Sequence, residues 1–375
     1  MTCSILVLTR YGYNGPSSRL RHHLFSPALE QAGFRVTIAP FLPDDYLDLL
    51  YGGAGLNAAR VIAAYGRRLR WLMKAGRFDL VWIEKEALPW LPAALEGALL
   101  ARSRVVSDFD DAWYLRYAEN PNPLIRAAMG RKLENVVGRA MLVIAGNAEL
   151  AAWARASGAP RVIELPTPVD TEHYPVLPPP AGPFTIGWIG TPHSSTYLAL
   201  VAEALARLQA TRGARVVVIG AGANLSLPGV TIERRPWSEA SEAAELARCH
   251  VGIMPLANGP WERGKCGYKL IQYMAAGRAT VATPVGSNKT IVAHNETGFL
   301  AEGRDQWVEA LSALADDRDL TKKFGLAGRK RVEQHYSLRV AAPTLVEALR
   351  QVAAADKASV RPPDRLLRSE ADRRI

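Results

Sequence analysis

The chain has 375 residues, of which 49% are hydrophobic and 22% are charged. At roughly 150 residues per domain, this length predicts two domains. No run of about 18 apolar residues occurs, and the N-terminal segment carries no basic residue before its apolar run, which argues against a membrane span and a signal peptide. We therefore expect a cytoplasmic protein. Its scattered cysteines, Cys3, Cys249 and Cys266, indicate neither a disulfide framework nor a structural metal site.

The formal net charge is +10, which favours binding to a polyanion such as nucleic acid, an anionic membrane or a phosphorylated substrate. Part of the excess lies in residues 356–375, which are basic, contain prolines and have few apolar residues, so we predict a disordered tail there. Elsewhere the positive charge is dispersed without interleaved aromatic residues. This pattern argues against nucleic-acid binding.

The N-terminal half alternates apolar, β-rich runs with helical patterns, which predicts βαβ units and a parallel sheet. The predicted strands are 5–8, 35–39, 80–84, 104–107, 141–145 and 162–165. The clearest predicted helices are 18–32 and 57–75.

A proline-rich stretch at 166–182 interrupts this alternation, and we interpret it as an interdomain linker. The alternation then restarts, with strands at 185–189, 215–219, 230–234, 251–255 and 280–283, and helices at 196–210, 238–247, 268–276 and 304–315. The sequence thus predicts an α/β protein with two Rossmann-like, doubly wound domains, at 1–165 and 183–336, facing across a cleft. Ligands of such sheets bind at the carboxyl ends of the strands.

Two loops of the second half have the pattern of an anion site. Gly190 and Thr191 follow a strand and precede a helix, whose N-terminal N–H groups attract anions; the alternative is a tight turn with a Ser or Thr cap. Further on, Lys265 and Lys269 stand one helical turn apart at a glycine-rich helix start and can face one diphosphate. The backbone there belongs to Gly264, Cys266, Gly267 and Tyr268. The alternative for this second segment is a solvated basic turn before an amphipathic helix.

The segments 269–277, 278–288 and 291–300 resemble the donor-binding region of glycosyltransferase family 4, whose members are retaining, metal-independent enzymes with the GT-B fold. The resemblance extends to 187–190, to 218–222 and to the linker entrance. It implies transfer of a sugar from a nucleotide-diphosphate donor, of the UDP or GDP type, to a hydroxyl acceptor with retention of configuration. It implies no cofactor and no metal, places Gly220 near the nucleobase, and predicts that a helix at 337–355 crosses back to the first domain.

The chain departs from this family at two places. The family usually carries a Glu-x7-Glu pair whose second Glu binds the ribose, but Gly264 and Gln272 occupy these positions. The usual Arg and Lys are also missing from 191–195, so we expect Lys265, Lys269 and backbone amides to neutralise the phosphates. These departures leave two alternatives open: a nucleotide-sugar epimerase or hydrolase with the GT-B fold, and a non-catalytic partner subunit that binds nucleotide sugars.

The nucleobase is expected near Arg235 and Trp237, because they follow a predicted strand and offer backbone groups and an aromatic edge. For Trp237, packing in the fold is an equally good interpretation.

The acceptor is expected at loops of the first domain. The loop after the first strand offers flexible backbone, hydroxyls and a guanidinium, through Gly15, Ser17, Ser18 and Arg19, although Ser18 also suits a helix cap. After another strand, Asp110 and Asp111 stand close together, where carboxylates repel each other unless they are used. We expect one of them to contact sugar or acceptor hydroxyls, where the resembled family has a His; a metal-binding Asp-x-Asp motif is the less favoured alternative.

The segment 57–77 predicts a basic amphipathic helix with an aromatic residue. Such a helix can lie on an anionic membrane, as a lipid-linked acceptor or growing glycan at the inner membrane surface would require. The ordinary alternative, a solvated helix packed on the sheet, is favoured. Peripheral membrane contact is therefore a hypothesis.

Overall fold

The computed structural model describes residues 3–44, 46 and 57–355. The chain divides into two compact units, one that ends at Thr167 and resumes at Ala342, and one formed by Pro168–Ala341. Each unit is built on one six-stranded sheet, and every strand pair in both sheets is parallel. The predicted α/β class with two doubly wound sheets is confirmed.

The sheet of the first unit has the strand order β2-β1-β3-β4-β5-β6. Its strands are β1 (Cys3–Leu8), β2 (Phe34–Ile38), β3 (Leu80–Glu84), β4 (Val105–Phe109), β5 (Leu142–Ala145) and β6 (Val162–Glu164). The central strands β3 and β5 are buried along their whole length, which explains why they are continuous apolar runs rather than alternating ones. The strand order reverses between β1 and β3, so the loops after these two strands border the crevice where ligands of such sheets bind.

Helices of varied length connect these strands. They are α1 (Pro16–Arg21), α2 (Ser26–Gln31), α3 (Ala58–Lys74), α4 (Ala93–Leu99), α5 (Leu115–Ala118), α6 (Pro123–Met129), α7 (Lys132–Val137) and α8 (Ala148–Ala156). The prediction of one helix over 18–32 was wrong, because a 3-10 turn separates α1 from α2. Pro27 has no N–H to donate back into that turn, so it serves as an early residue of a new helix.

The sheet of the second unit has the order β12-β11-β10-β7-β8-β9. Its strands are β7 (Thr185–Ile189), β8 (Arg215–Ile219), β9 (Ile232–Arg235), β10 (Val251–Met254), β11 (Ala279–Ala282) and β12 (Gly298–Leu300). Its helices are α9 (Ala202–Arg212), α10 (Glu239–Ala247), α11 (Pro260–Arg263), α12 (Tyr268–Ala275), α13 (Asn288–Ile291), α14 (Gly303–Asp316) and α15 (Arg318–His335). The order reverses between β7 and β10. Strand β12 and helices α11, α13 and α15 were not predicted, and the predicted helix 196–210 begins as a 3-10 helix, Ser194–Val201.

The predicted linker packs on the second unit from Pro168 onward. Val169 pairs with Ser337 in an isolated parallel bridge, and Tyr174 is buried in the core. The guanidinium of Arg329 on α15 donates to the carbonyls of Tyr174 and Thr171, at 2.6 and 3.1 Å. These bonds explain how a proline-rich segment without a strand is held against the fold.

The last described helix, α16 (Leu338–Ala354), contributes its residues from Ala342 onward to the first unit. There Arg104 Nε donates to the carbonyl of Ala355 at 2.9 Å, and Arg350 donates to the carbonyl of Ala32 at 2.8 Å. The tail predicted at 356–375 lies outside the described residues. Within the described part of the chain, no helix is both long enough and apolar enough to cross a membrane.

Candidate functional site

Two glycine turns pack backbone against backbone at the carboxyl ends of β7 and β8. Gly220 has φ +78°, and a Cβ on it would lie 2.4 Å from the carbonyl oxygen of Gly190. A Cβ on Gly190 would in turn lie 2.7 Å from Ser194 Oγ, the atom that accepts the N–H of Thr191 at 3.1 Å. Only glycine permits this approach, so the predicted turn at Gly190 and Thr191 is a tightly built structure.

The loops after β7 and β10 are joined beside this turn. Tyr197 donates its hydroxyl to Glu262 of α11. The Lys265 ammonium lies 5.9 Å from the Tyr197 ring centre and 5.8 Å from that of Trp261. Aromatic rings attract cations through their negative faces. Lys265 therefore stands at the reversal point of the second sheet, bordered by aromatic rings.

Helix α12 begins on a left-handed residue at the same place. Gly267 has φ +66° and is the N-terminal cap residue, and a Cβ there would lie 2.3 Å from Ile291 Cδ1. The loop before it is fixed by Ser287, which donates to the carbonyl of Lys265 at 2.7 Å. Gly264 and Cys266 are buried, so their contribution to a ligand site is their backbone, whereas Tyr268 is half-buried.

Lys269 lies in the first turn of α12, and its ammonium is 5.5 Å from the Trp188 ring centre. Trp188 is the penultimate residue of β7, so Lys269 is held beside the end of that strand. The structure thus brings both predicted lysines to the β7 and β10 end of the sheet, together with the start of α12. Cations and helix N–H groups in one place are an arrangement that attracts anions.

One turn further along α12, Gln272 is buried and takes part in a polar cluster. Its Nε2 donates to Glu242 Oε1 at 2.6 Å and lies 3.3 Å from the hydroxyl of Tyr174, which also donates to Glu242. Burial, together with Tyr268 and Glu242, raises the pKa of Tyr174, so its hydroxyl stays protonated. Glu242 was not predicted as a site residue.

Trp237 joins the same cluster. Its indole Nε1 donates to Glu242 Oε2 at 2.7 Å, while the residue as a whole is 38% exposed. Trp237 Cβ lies 3.0 Å from the place of a Cβ on Gly220. Arg235 is paired with Glu233 and lies 3.9 Å from Glu245, so its guanidinium is engaged with acids of the protein.

In the first unit, three consecutive charged residues, Glu84, Lys85 and Glu86, stand at the end of β3 and contact the loops and helices around it. Glu84 accepts the hydroxyl of Ser18 at 2.6 Å and the N–H of Arg10 at 2.9 Å. Glu86 accepts from Lys132 of α7, from the hydroxyl of Tyr117 and, at 3.1 Å, from the indole of Trp113. Both carboxylates fix the loops around the reversal point between β1 and β3.

The central residue of the three, Lys85, has a left-handed backbone with φ +63°, which is uncommon for a residue other than glycine. Its ammonium lies 2.7 Å from Asp110 Oδ1 and 3.7 Å from Glu84. Burial works to raise the pKa of Asp110, but the Lys85 ammonium holds it well below its usual range. Asp110 is therefore a carboxylate at neutral pH and can only accept hydrogen bonds there.

The predicted acceptor-side residues of the loop after β1 differ in their surroundings. Ser17 is hydrogen-bonded to Asp110 and helps to lower its pKa. Ser18 is completely buried between Glu84 and the N–H of Tyr11, so it holds the loop in place and does not present a ligand-binding hydroxyl. Arg19 is buried with its guanidinium 5.8 Å from the Tyr13 ring centre. Gly15 packs on Tyr11, whose Cβ lies 2.5 Å from the place of a Gly15 Cβ.

The acids on either side of Asp110 in the chain, Asp108 and Asp111, differ in their surroundings. Asp108 is fully buried; burial raises its pKa to about 6, although Arg21 opposes the shift from 2.9 Å. Asp111 is half-buried. Among residues 3–44, 46 and 57–355, no group of three or more His, Cys, Asp or Glu side chains is arranged to hold a metal ion.

Helix α3, predicted as basic and amphipathic, carries two large apolar side chains on its outer side. Ile62 and Met73 are 72% and 70% exposed. They stand three turns apart, on one face of the helix. Arg60, Arg70 and Lys74 are exposed as well, whereas Arg68 is buried and donates to the carbonyl of Thr9 at 2.5 Å.

Residues 183–317 match the family model of the Glycosyl transferases group 1. The second unit is therefore similar to the group 1 glycosyl transferases over these residues, which are called the group 1 domain below. No curated protein sequence matches the chain.

Solved structures similar to this chain have the same overall fold. Sucrose-phosphate synthase from Thermosynechococcus elongatus is 15% identical, with a TM-score of 0.70 over 94% of this chain and 100% of that one. Anabaena HepE in complex with UDP-glucose is 17% identical, with a TM-score of 0.69 over 93% and 99%. A glycosyltransferase from Rickettsia africae is 16% identical, with a TM-score of 0.67 over 95% and 100%. The predicted GT-B fold is thus confirmed.

In the group 1 domain, no feature of the sequence pointed to Glu242, the acid of the polar cluster. Glu242 lies on an acidic helix that looks like a solvated surface, 30 residues before Gln272. The residues 84–86 of the first unit did carry a signal, because three consecutive charges begin at the last residue of a buried apolar strand. Charges at a strand's carboxyl end, next to a reversal of strand order, are where ligand sites of such sheets form.

Proposed function

We propose that this protein transfers a sugar from a nucleotide-diphosphate donor, of the UDP or GDP type, to a hydroxyl acceptor. The observation that carries the proposal is the joint placement of Lys265, Lys269 and the start of α12 beside the glycine turns of the group 1 domain. The UDP-glucose complex of the similar HepE structure supports a UDP sugar as the first donor to test.

In this proposal, the lysines and the first-turn N–H groups of α12 stabilise the negative charge that develops on the departing diphosphate. Preorganised donors aimed at developing charge are a major source of catalysis. Two fixed ammonium groups provide this stabilisation without a metal ion. We further propose retention of configuration, on the basis of the resemblance to family 4.

The first unit is proposed to bind the acceptor. Asp110, ionised and paired with Lys85, accepts a hydrogen bond from an acceptor or sugar hydroxyl, and Asp111 stands beside it. Because the Lys85 ammonium at 2.7 Å keeps Asp110 ionised, we assign Asp110 a binding and orienting role rather than proton transfer at neutral pH.

We also propose that the acceptor is lipid-linked and that α3 contacts an anionic membrane. The support is the combination of exposed Ile62 and Met73 with exposed basic residues on one helix. Burying apolar side chains at the bilayer interface and neutralising anionic headgroups both favour such contact.

The donor proposal is tested by thermal unfolding with UDP, GDP, ADP and dTDP, followed by assays of nucleotide release from the matching sugar donors. A ligand at 100 times its Kd stabilises the native state by about 2.7 kcal/mol. We expect Lys269→Ala to remove most of this stabilisation, and Lys289→Ala, which changes an exposed lysine of α13, to leave it intact. The proposal is wrong if no nucleotide stabilises the protein, or if Lys269→Ala binds and turns over donor like the unchanged protein.

A further inference from the structure

Glu242 is the centre of the polar cluster on the group 1 domain. Its Oε1 accepts from Gln272 Nε2 at 2.6 Å and from the Tyr174 hydroxyl, and its Oε2 accepts from the Trp237 indole at 2.7 Å. A carboxylate offers about four acceptor positions, of which these donors use three. The remaining position is on Oε2, on the side of half-exposed Trp237.

The carboxylate also fixes the orientation of the Gln272 amide. Glu242 accepts and does not donate, so the NH2 end of the amide has to face it. The carbonyl Oε1 of Gln272 then faces away from Glu242 and is the atom of this amide that can accept from a ligand. Together, Glu242 and Gln272 provide two neighbouring acceptor atoms held in a buried network.

The cluster and one of the two lysines share helix α12. Gln272 follows Lys269 by three residues on α12, a rise of roughly 4.5 Å along the helix. A diphosphate held at Lys265 and Lys269 is joined directly to a ribose, whose two neighbouring hydroxyls donate hydrogen bonds. Trp237, beside the Gly220 turn, belongs to the same cluster through its bond to Glu242.

We propose that Glu242 and Gln272 together bind the two ribose hydroxyls of the donor, so that Glu242 on α10 supplies the negative charge that residue 272 lacks. The inference rests on the proposed function, because it needs a nucleotide at the lysines. It assigns to Glu242 a specificity-determining role: selection of ribonucleotides over deoxyribonucleotides.

The test measures the affinity of the full chain for UDP and 2′-deoxy-UDP, and for GDP and 2′-deoxy-GDP, by titration calorimetry. We expect the unchanged protein to bind the preferred ribonucleotide at least tenfold more tightly than its deoxy form, because loss of a hydroxyl leaves a charged acceptor without its donor. In Glu242→Gln this preference should fall to about twofold, mainly through weaker binding of the ribonucleotide. Glu239→Gln, an exposed residue of the same helix, is the matched control and should keep the preference.

Every outcome of these titrations either supports or overturns the inference. The inference is overturned if the unchanged protein binds the ribo and deoxy forms with equal affinity. It is also overturned if Glu242→Gln loses affinity equally for both forms, since this would indicate a purely structural carboxylate. Either outcome leaves the donor proposal standing, since a nucleotide still binds. Absence of binding by every nucleotide overturns both.

Discussion

Lys85 Nζ lies 2.7 Å from Asp110 Oδ1 in the first unit, and the two side chains are only 4% and 13% exposed. Removing one partner of a buried pair leaves the other charge uncompensated. We expect Lys85→Met to lower the free energy of unfolding by about 3–5 kcal/mol. Denaturant-induced unfolding at neutral pH measures the change.

The double variant Lys85→Met with Asp110→Asn distinguishes the effect of losing the ion pair from the effect of losing side-chain packing. Because it removes both charges, it should be more stable than Lys85→Met alone. Arg131→Met, which breaks a solvent-exposed pair with Glu134, should cost less than about 1 kcal/mol. Additive effects of the two substitutions at 85 and 110 would contradict the pairing.

His250 makes the second unit sensitive to acid. Its Nδ1 accepts the N–H of Thr185 at 3.0 Å, so its Nε2 carries the proton and donates to the carbonyl of Pro180 at 2.9 Å. Burial, with a smaller effect of Arg318, lowers the pKa of His250 to about 4. The unfolded chain, with an ordinary pKa near 6.5, therefore takes up the proton first as the pH falls.

We expect the stability that His250 contributes to be complete above about pH 6.5 and to be lost as the pH falls through 4. Protonation of Nδ1 leaves the Thr185 N–H without an acceptor, at a cost on the order of 1–3 kcal/mol. Unfolding free energies between pH 4 and 7 measure the loss. His250→Gln should reduce the pH dependence; an unchanged slope in this variant would refute the assignment.

Gly220 and Gly213 both have left-handed backbones, but they differ in their surroundings. A Cβ at Gly213 has no atom within 4 Å, whereas one at Gly220 lies 2.4 Å from the carbonyl oxygen of Gly190. Gly213→Ala should cost about 1 kcal/mol from backbone strain alone. Gly220→Ala should cost clearly more and should weaken nucleotide binding, as thermal unfolding with and without UDP or GDP can show. Equal costs would mean that the two turns do not pack as described.

Membrane contact through α3 predicts binding to vesicles of phosphatidylcholine that contain phosphatidylglycerol. We expect the paired change Ile62→Glu and Met73→Glu to abolish co-flotation, because it removes apolar burial and adds repulsion from anionic headgroups. Leu326→Glu alters an exposed leucine of the second unit and should have no effect. Binding to anionic vesicles that is no stronger than to neutral ones would exclude the contact.

The sequence predicted most of the sheets because buried parallel strands are local apolar runs, as in 80–84 and 185–189. It missed β12, whose three residues contain a glycine and give too short a pattern. It also merged α1 with α2, since helical periodicity continues through the 3-10 turn. A local sequence pattern predicts that a helix or strand exists more reliably than it predicts where that element begins and ends.

For the candidate site, the sequence located Lys265, Lys269 and the glycine turns, because they lie in contiguous loops at strand ends. It placed Ser18 on the ligand side, although a buried carboxylate from another loop holds its hydroxyl. The sequence also did not indicate that the carboxylate of Glu242 lies beside Gln272. No local pattern connects α10 with α12.

The amino-acid sequence by itself therefore determined the α/β class, the two-sheet organisation and the glycine-lysine start of α12, all of which depend on side-chain periodicity and backbone freedom within short segments. The tertiary structure decided which polar side chains meet: Lys85 with Asp110, and Glu242 with Gln272. Hydrogen bonds and ion pairs act over about 3 Å in space regardless of separation along the chain, so only the packed fold assigns their partners.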